Sequence, residues 1–180
     1  MIILQLSDFK GGKYDLPDAV GMNTKIAYVQ PCIDKYERSY IHRLLGATTG
    51  NLFITWVQAS QNPANADYLK ILNSFAEDAS TCYYYGSTII ESLGMKEFLK
   101  AAIFYEYVKN ALITSQPGIT IPASETGSIQ FPASTLRFAE NKFNEVLSTI
   151  ESIQWYCANN RVAFPDFNGQ HFNVKSANFF

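Results

Sequence analysis

Histidine, cysteine and surplus positive charge are what this chain has least of. Two histidines, His42 and His171, occur in 180 residues, and neither has a cysteine or carboxylate at ligand spacing, so no metal-binding motif is present. The cysteines Cys32, Cys82 and Cys157 are odd in number and far apart. They imply no disulfide framework and read as small buried hydrophobes. Lysine and arginine total 14 against 16 acidic residues, a formal net charge of −2. That balance offers no general attraction to nucleic acid or an anionic membrane and leaves only a local basic patch open. Charged residues interrupt every apolar run, so no membrane-spanning helix is expected. The segment from Met1 to Asp8 has no positive n-region and too short an apolar run for a secretion signal, and folding in a cytoplasm is the expectation.

Catalytic signatures are missing too. The chain has no Gly-x-Ser-x-Gly elbow, no Walker-type phosphate loop and no Gly-x-Gly-x-x-Gly fingerprint. Gly11-Gly12-Lys13 lacks both the earlier glycine and the hydroxyl residue after lysine that a phosphate loop needs, and reads as a turn. Glu37, Glu77, Asp78, Glu91 and Glu106 are the carboxylates that could pair for acid–base chemistry, and each is expected on a solvated face. His42, between Ile41 and Arg43, is expected to be solvated or hydrogen-bonded rather than catalytic. No nucleophile, general base or cofactor site emerges, and the chain is read as a non-enzyme that needs no cofactor.

Apolar and aromatic residues are abundant, at 47% and 14%, enough for one core in one domain. Ser92 to Lys109 is apolar or aromatic on nearly every side, and a helix of that kind must be covered all round. It is expected as the central helix of a small α-domain or as one shared with a neighbouring subunit. Ile33, Tyr36, Tyr40 and Leu44 recur at helical spacing and predict a helix from Pro31 to Leu45, stopped by Gly46. A short helix is favoured over Gly50 to Ala59, and Tyr68, Leu69, Leu72 and Phe75 predict another from Asn65 to about Ala79. Ala79 to Leu93 is ambiguous between strand and helix, and the central helix is expected from about Gly94 to Thr114. Ser134 can cap one long final helix whose stripe, Leu136, Ala139, Phe143, Val146, Ile150, Ile153 and Cys157, is heptad-like.

Two further segments carry the apolar residues read as contacts. Ile119/Ile121 and Ile129/Phe131 alternate at strand spacing around a turn-rich centre, a β-hairpin pattern over 117–132. An isolated hairpin is marginal in water, so it must lean on its own helices or on a neighbouring subunit. Phe164, Phe167, Phe172, Phe179 and Phe180 are irregularly spaced in a tail, where an amphipathic helix is not expected. The organisation read from the chain is an N-terminal arm over 1–22, a helical domain over 23–160 with the insertion at 117–132, and an aromatic tail over 161–180. The class is mainly α: a small bundle of about four to five helices with a β-hairpin or extended loop and extended arms. An all-apolar helix, a hairpin needing support and a phenylalanine-rich tail together favour an assembly subunit.

Three stretches carry a resemblance to a known family: Tyr36-Glu37-Arg38-Ser39-Tyr40-Ile41-His42-Arg43-Leu44-Leu45-Gly46, then Glu91-Ser92-Leu93-Gly94-Met95-Lys96 leading into Ile103-Phe104-Tyr105-Glu106-Tyr107-Val108, and Gln116-Pro117-Gly118-Ile119 before the final helix. Over roughly residues 24 to 168 the chain resembles the helical head-tail connector, or adaptor, proteins of tailed bacteriophages, especially those of crAss-like and other Bacteroidales phages. The resemblance implies a structural virion protein made in the host cytoplasm. It would form a homo-oligomeric ring, commonly twelve-fold, that docks on the portal protein and other neck or tail proteins around the DNA channel. DNA would pass without sequence-specific binding, for which a net acidic chain suits low-friction passage. By the same analogy Ile119, Ile121, Ile129, Phe131, Phe164, Phe167, Phe172, Phe179 and Phe180 would make the inter-subunit or portal contacts. The family has no catalytic residue to transfer, and it lacks the turn-rich segment 1–22. The rival readings are a soluble regulatory protein-binding module and, less favoured, a small helical hydrolase or nuclease.

Overall fold

The computed structural model describes residues 2–16, 26–59, 65–78, 89–115 and 133–169. Among them, helices α1 (Ile26–Leu45), α2 (Ala47–Gln58), α3 (Ala66–Leu72), α4 (Met95–Ser115), α5 (Ala133–Asn144) and α6 (Leu147–Asn159) form a small bundle, with strands β1 (Phe75–Asp78) and β2 (Ile89–Ser92) as an antiparallel pair. Among the described residues the fold is mainly α with one antiparallel strand pair, the class that composition and periodicity imply. The hairpin that is described is β1–β2, whereas the one expected over 117–132 lies outside the described residues.

Helix α4 is the interior of the bundle. Phe98, Leu99, Ala101, Ala102, Ile103, Phe104 and Val108 are all buried. They fall on every side of the helix because α1, α5, α6 and α3 each pack against it. Its aromatic edges close against neighbours: Phe98 meets Tyr40 edge-on with centroids 5.8 Å apart, and Tyr105 stacks on Phe143 at 5.5 Å. The apolar side chains from Phe98 to Val108 are therefore covered within one chain, without a neighbouring subunit.

Several boundaries differ from the expected ones, each for a local reason. Helix α1 begins at Ile26, a turn before Pro31, which sits exposed on its solvent side; proline's fixed φ is compatible with the helix it interrupts. Helix α3 stops at Leu72 because Asn73 turns extended, at φ −99° and ψ 177°, and Phe75 continues as a strand packed on Tyr156. The long final helix is two helices. Val146 N–H donates to the Phe143 carbonyl at 3.1 Å and Thr149 N–H to the Val146 carbonyl at 3.1 Å, so the chain tightens for one turn into i to i+3 bonding. The stripe survives the break: Ala139, Val146, Ile150, Ile153 and Cys157 are all buried.

Two glycines are required by geometry. Gly46, at φ 84°, turns α1 into α2, and Gly94, at φ 85°, turns β2 into α4. A side chain at Gly94 would also overlap the backbone carbonyl of Asn73, where the α3–β1 junction crosses beneath.

The N-terminal segment is packed on the bundle. Leu4, Phe9 and Tyr14 are buried in the core. Glu37, in mid-α1 and 1% exposed, accepts from the backbone N–H groups of Ile2 at 2.7 Å, Ile3 at 2.6 Å and Leu4 at 2.7 Å. Those donors replace the water that a buried carboxylate loses. The expectation that Glu37 lies on a solvated face is corrected: its neighbours in sequence suggested solvent, but the returning N-terminus covers it. A second tie runs to α4. Asp8 accepts from the Gln5 N–H at 2.7 Å and pairs with Lys96 at 3.0 Å, with Lys100 at 3.9 Å.

Two outcomes follow for this segment. Glu37→Ala, which strands three N–H groups, is expected to cost on the order of 3 kcal/mol; an unchanged midpoint in urea denaturation would show that the clamp adds no stability. Burial of Asp8 opposes its ionisation, but the Gln5 N–H and the two lysines outweigh burial and hold its carboxyl below the usual carboxylate range. A depressed folded value adds stability above the unfolded value of about 3.9, and that stability disappears as pH falls through the folded value. Wild type should thus exceed Asp8→Asn in stability near neutrality and converge with it in acid. A gap that is equally wide at both ends would contradict the linkage.

Candidate interaction surface

The apolar residues expected to contact a partner divide into three groups. Phe164 is fully buried in the chain's own core, its ring 5.5 Å from Tyr68 and 6.1 Å from Tyr156. It is corrected from an inter-subunit contact to a core residue, because the chain after α6 folds back over α3 instead of extending away. Phe167 is half-buried against the same core, with the Arg161 guanidinium 5.5 Å over its ring and Arg161 Nη1 donating to its carbonyl at 2.7 Å. Ile119, Ile121, Ile129, Phe131, Phe172, Phe179 and Phe180 lie outside the described residues, as do Cys82 and His171.

Of the other polar candidates, Glu106, Glu77 and His42 are engaged in structural pairs, while Asp78 and Glu91 are exposed as expected. Glu106 accepts from the Tyr40 hydroxyl at 2.9 Å, and burial, reinforced by that carboxylate, drives the Tyr40 phenol well above its usual range. Glu77 pairs with Lys70. His42 Nε2 lies 3.0 Å from Asn51 Oδ1, joining α1 to α2. Burial raises the Cys157 thiol far above its ordinary value and raises that of Cys32, which favours the unreactive thiol form. Among the described residues no group of His, Cys, Asp and Glu could hold a metal ion, and no helix is long and apolar enough to cross a membrane.

Two open surfaces stand out. On α1, Lys35, Arg38 and Arg43 are exposed beside the half-exposed His42 and one acid, Asp34, and with Ser39, Gly46, Ala47 and Asn168 they line a cleft of about 630 Å³ in which cations outnumber the carboxylate. The spacing 35, 38, 42 is a helix face opposite the buried Ile33, Glu37, Ile41 and Leu44. That spacing is the signal for a local basic patch in a net acidic chain, and it is visible only when the face is read as a unit. The second surface is the hairpin base, where Phe75, Ala76, Glu91, Leu93, Ser148 and Thr149 line a cleft of about 590 Å³. Leu93 is 48% exposed there, and Ile89, at the other end of β2, is 54% exposed.

The hairpin is fixed rigidly enough to present this surface. Ser152 Oγ donates to the Glu91 carbonyl at 2.7 Å, and Leu93 N–H donates to Thr149 Oγ1 at 3.2 Å. Glu91 and Leu93 thus turn their backbone groups toward α6, so in the antiparallel register Ala76, opposite Glu91, turns its own away from β2.

No family model, no curated protein and no solved structure matches the chain.

Phe164→Ala should cost about 3 to 5 kcal/mol, the range for removing a buried phenylalanine. A melting temperature equal to that of wild type would return Phe164 to the surface.

Proposed function

We propose that this protein is a structural assembly subunit of the head-tail connector type, a ring-forming adaptor that docks on a portal protein and links a phage head to its tail. The observation that carries the reading is the hairpin base, where Leu93 holds a large apolar side chain half in water at the rim of an open cleft, with Ile89 also half in water at the other end of β2. Apolar area held there by hydrogen bonds to α6 is an expected partner-covered surface. The sequence resemblance agrees with this reading, since two of its three stretches lie on α1 and across the β2–α4 junction, which the Tyr40–Glu106 bond joins. In this reading the chain works by shape and contact, without catalysis or cofactor. It acts at the head–tail interface of the virion, in a ring commonly twelve-fold by the resemblance. Segments 117–132 and 170–180 supply further contacts to neighbours or to the portal.

The test is mass measurement with negative-stain imaging of the full chain, alone and mixed with candidate portal proteins. Rings, or complexes that appear only with a portal, are expected. A monodisperse monomer indifferent to every portal tried would overturn the proposal.

A further inference from the structure

The geometry points to a head-to-tail contact between copies of this chain, in which the basic face of α1 docks on the acidic, apolar hairpin base of a second copy. The inference rests on the assembly reading above and names its interface. Lys35 and Arg38 are exposed one helical turn apart and have no ion pair among the described residues. Glu91 and Glu151 are likewise exposed and without an ion pair among the described residues. Glu91 lines the hairpin cleft, and Glu151 lies one turn beyond Ser148, which lines it too.

Each face also carries apolar area. Leu93 lines the hairpin cleft, with Ile89 exposed at the other end of β2, while Leu52, 51% exposed, is on α2, whose Asn51 bonds to His42 of the basic cleft. The two surfaces are complementary in charge.

The two surfaces point different ways because α6 stands between them. Gln154 Nε2 donates to the Leu44 carbonyl at the end of α1, at 3.1 Å, while Ser152 Oγ donates to Glu91 on β2, at 2.7 Å. Two residues along an α-helix are about 200° apart around its axis, so α1 and the hairpin occupy opposite sides of α6. A contact between two different surfaces on opposite sides of one protomer is heterologous, and it propagates into a closed ring or an open filament rather than stopping at a dimer.

The test is sedimentation of the full chain and of Arg38→Glu, Glu91→Arg and the doubly reversed variant, across salt concentrations, with circular dichroism to follow folding. Both side chains are exposed, so helix content should match wild type in every variant. Each single reversal should weaken self-association about tenfold or more, the double reversal should restore most of it, and added salt should weaken the wild type. Self-association unchanged in both single variants would overturn this interface and leave the assembly reading standing. Loss of double-stranded DNA binding in Arg38→Glu, with self-association intact in Glu91→Arg, would assign the basic face to a polyanion and overturn it as well. A chain monomeric alone and with portal proteins would remove the assembly reading, and this interface with it.

Discussion

The rest of the structure follows from the need to cover α4. A helix whose apolar side chains point in every direction has no stable place at a surface, so the remaining elements are arranged to enclose it. Helices α1, α5 and α6 take its long sides and α3 meets it as well. The polar residues on α4 are used at the margins. Glu106 accepts from Tyr40, and Lys96 and Lys100 hold Asp8 of the N-terminal segment. Both are contacts between α4 and a covering element, so the charges that exclude a membrane span are the same ones that orient its cover.

Enclosure of α4 explains the treatment of the chain's two described ends. Residues 2–16 fold back so that Leu4, Phe9 and Tyr14 enter the core, and the Glu37 carboxylate satisfies the backbone that arrives there. Residues after α6 return so that Phe164 fills the space beside Tyr68 and Tyr156. Glu37 falls on the buried stripe of α1 between Ile33 and Ile41, but a carboxylate there argues for solvent until its partners, the distant N–H groups of residues 2–4, are known, and a phenylalanine after the last helix belongs to no periodic stripe. Their burial depends on which segments return, a property of the whole chain.

Where local pattern decides structure, the sequence was legible. The stripe Ile33, Tyr40 and Leu44 placed α1, Gly46 marked its end, and the all-apolar run from Ser92 to Lys109 identified the central helix. Where two patterns compete, it was not. Tyr68, Leu69, Leu72 and Phe75 keep helical spacing although Phe75 belongs to a strand, because one residue, Asn73, changes the backbone without changing the spacing. The break at Val146 was hidden for a related reason: a single tightened turn keeps the stripe on one side and involves neither glycine nor proline. The basic face of α1 was hidden by the net charge, which averages Lys35, Arg38 and Arg43 against acids elsewhere. The exposed base of the hairpin could not be read because β1 lies at the end of the stretch with helical spacing and β2 lies within the segment that pattern left ambiguous.

A protomer that buries the apolar side chains of its central helix from Phe98 to Val108 can reserve its exposed surfaces for partners, which is how the bundle and the proposed assembly role fit together. The direct test is amide hydrogen exchange on the full chain at a concentration where it is monomeric. Amides from Phe98 to Val108 should be the slowest to exchange and should open only with global unfolding. Exchange there as fast as in α2 or α3, slowing only when copies associate, would contradict a helix enclosed by its own chain.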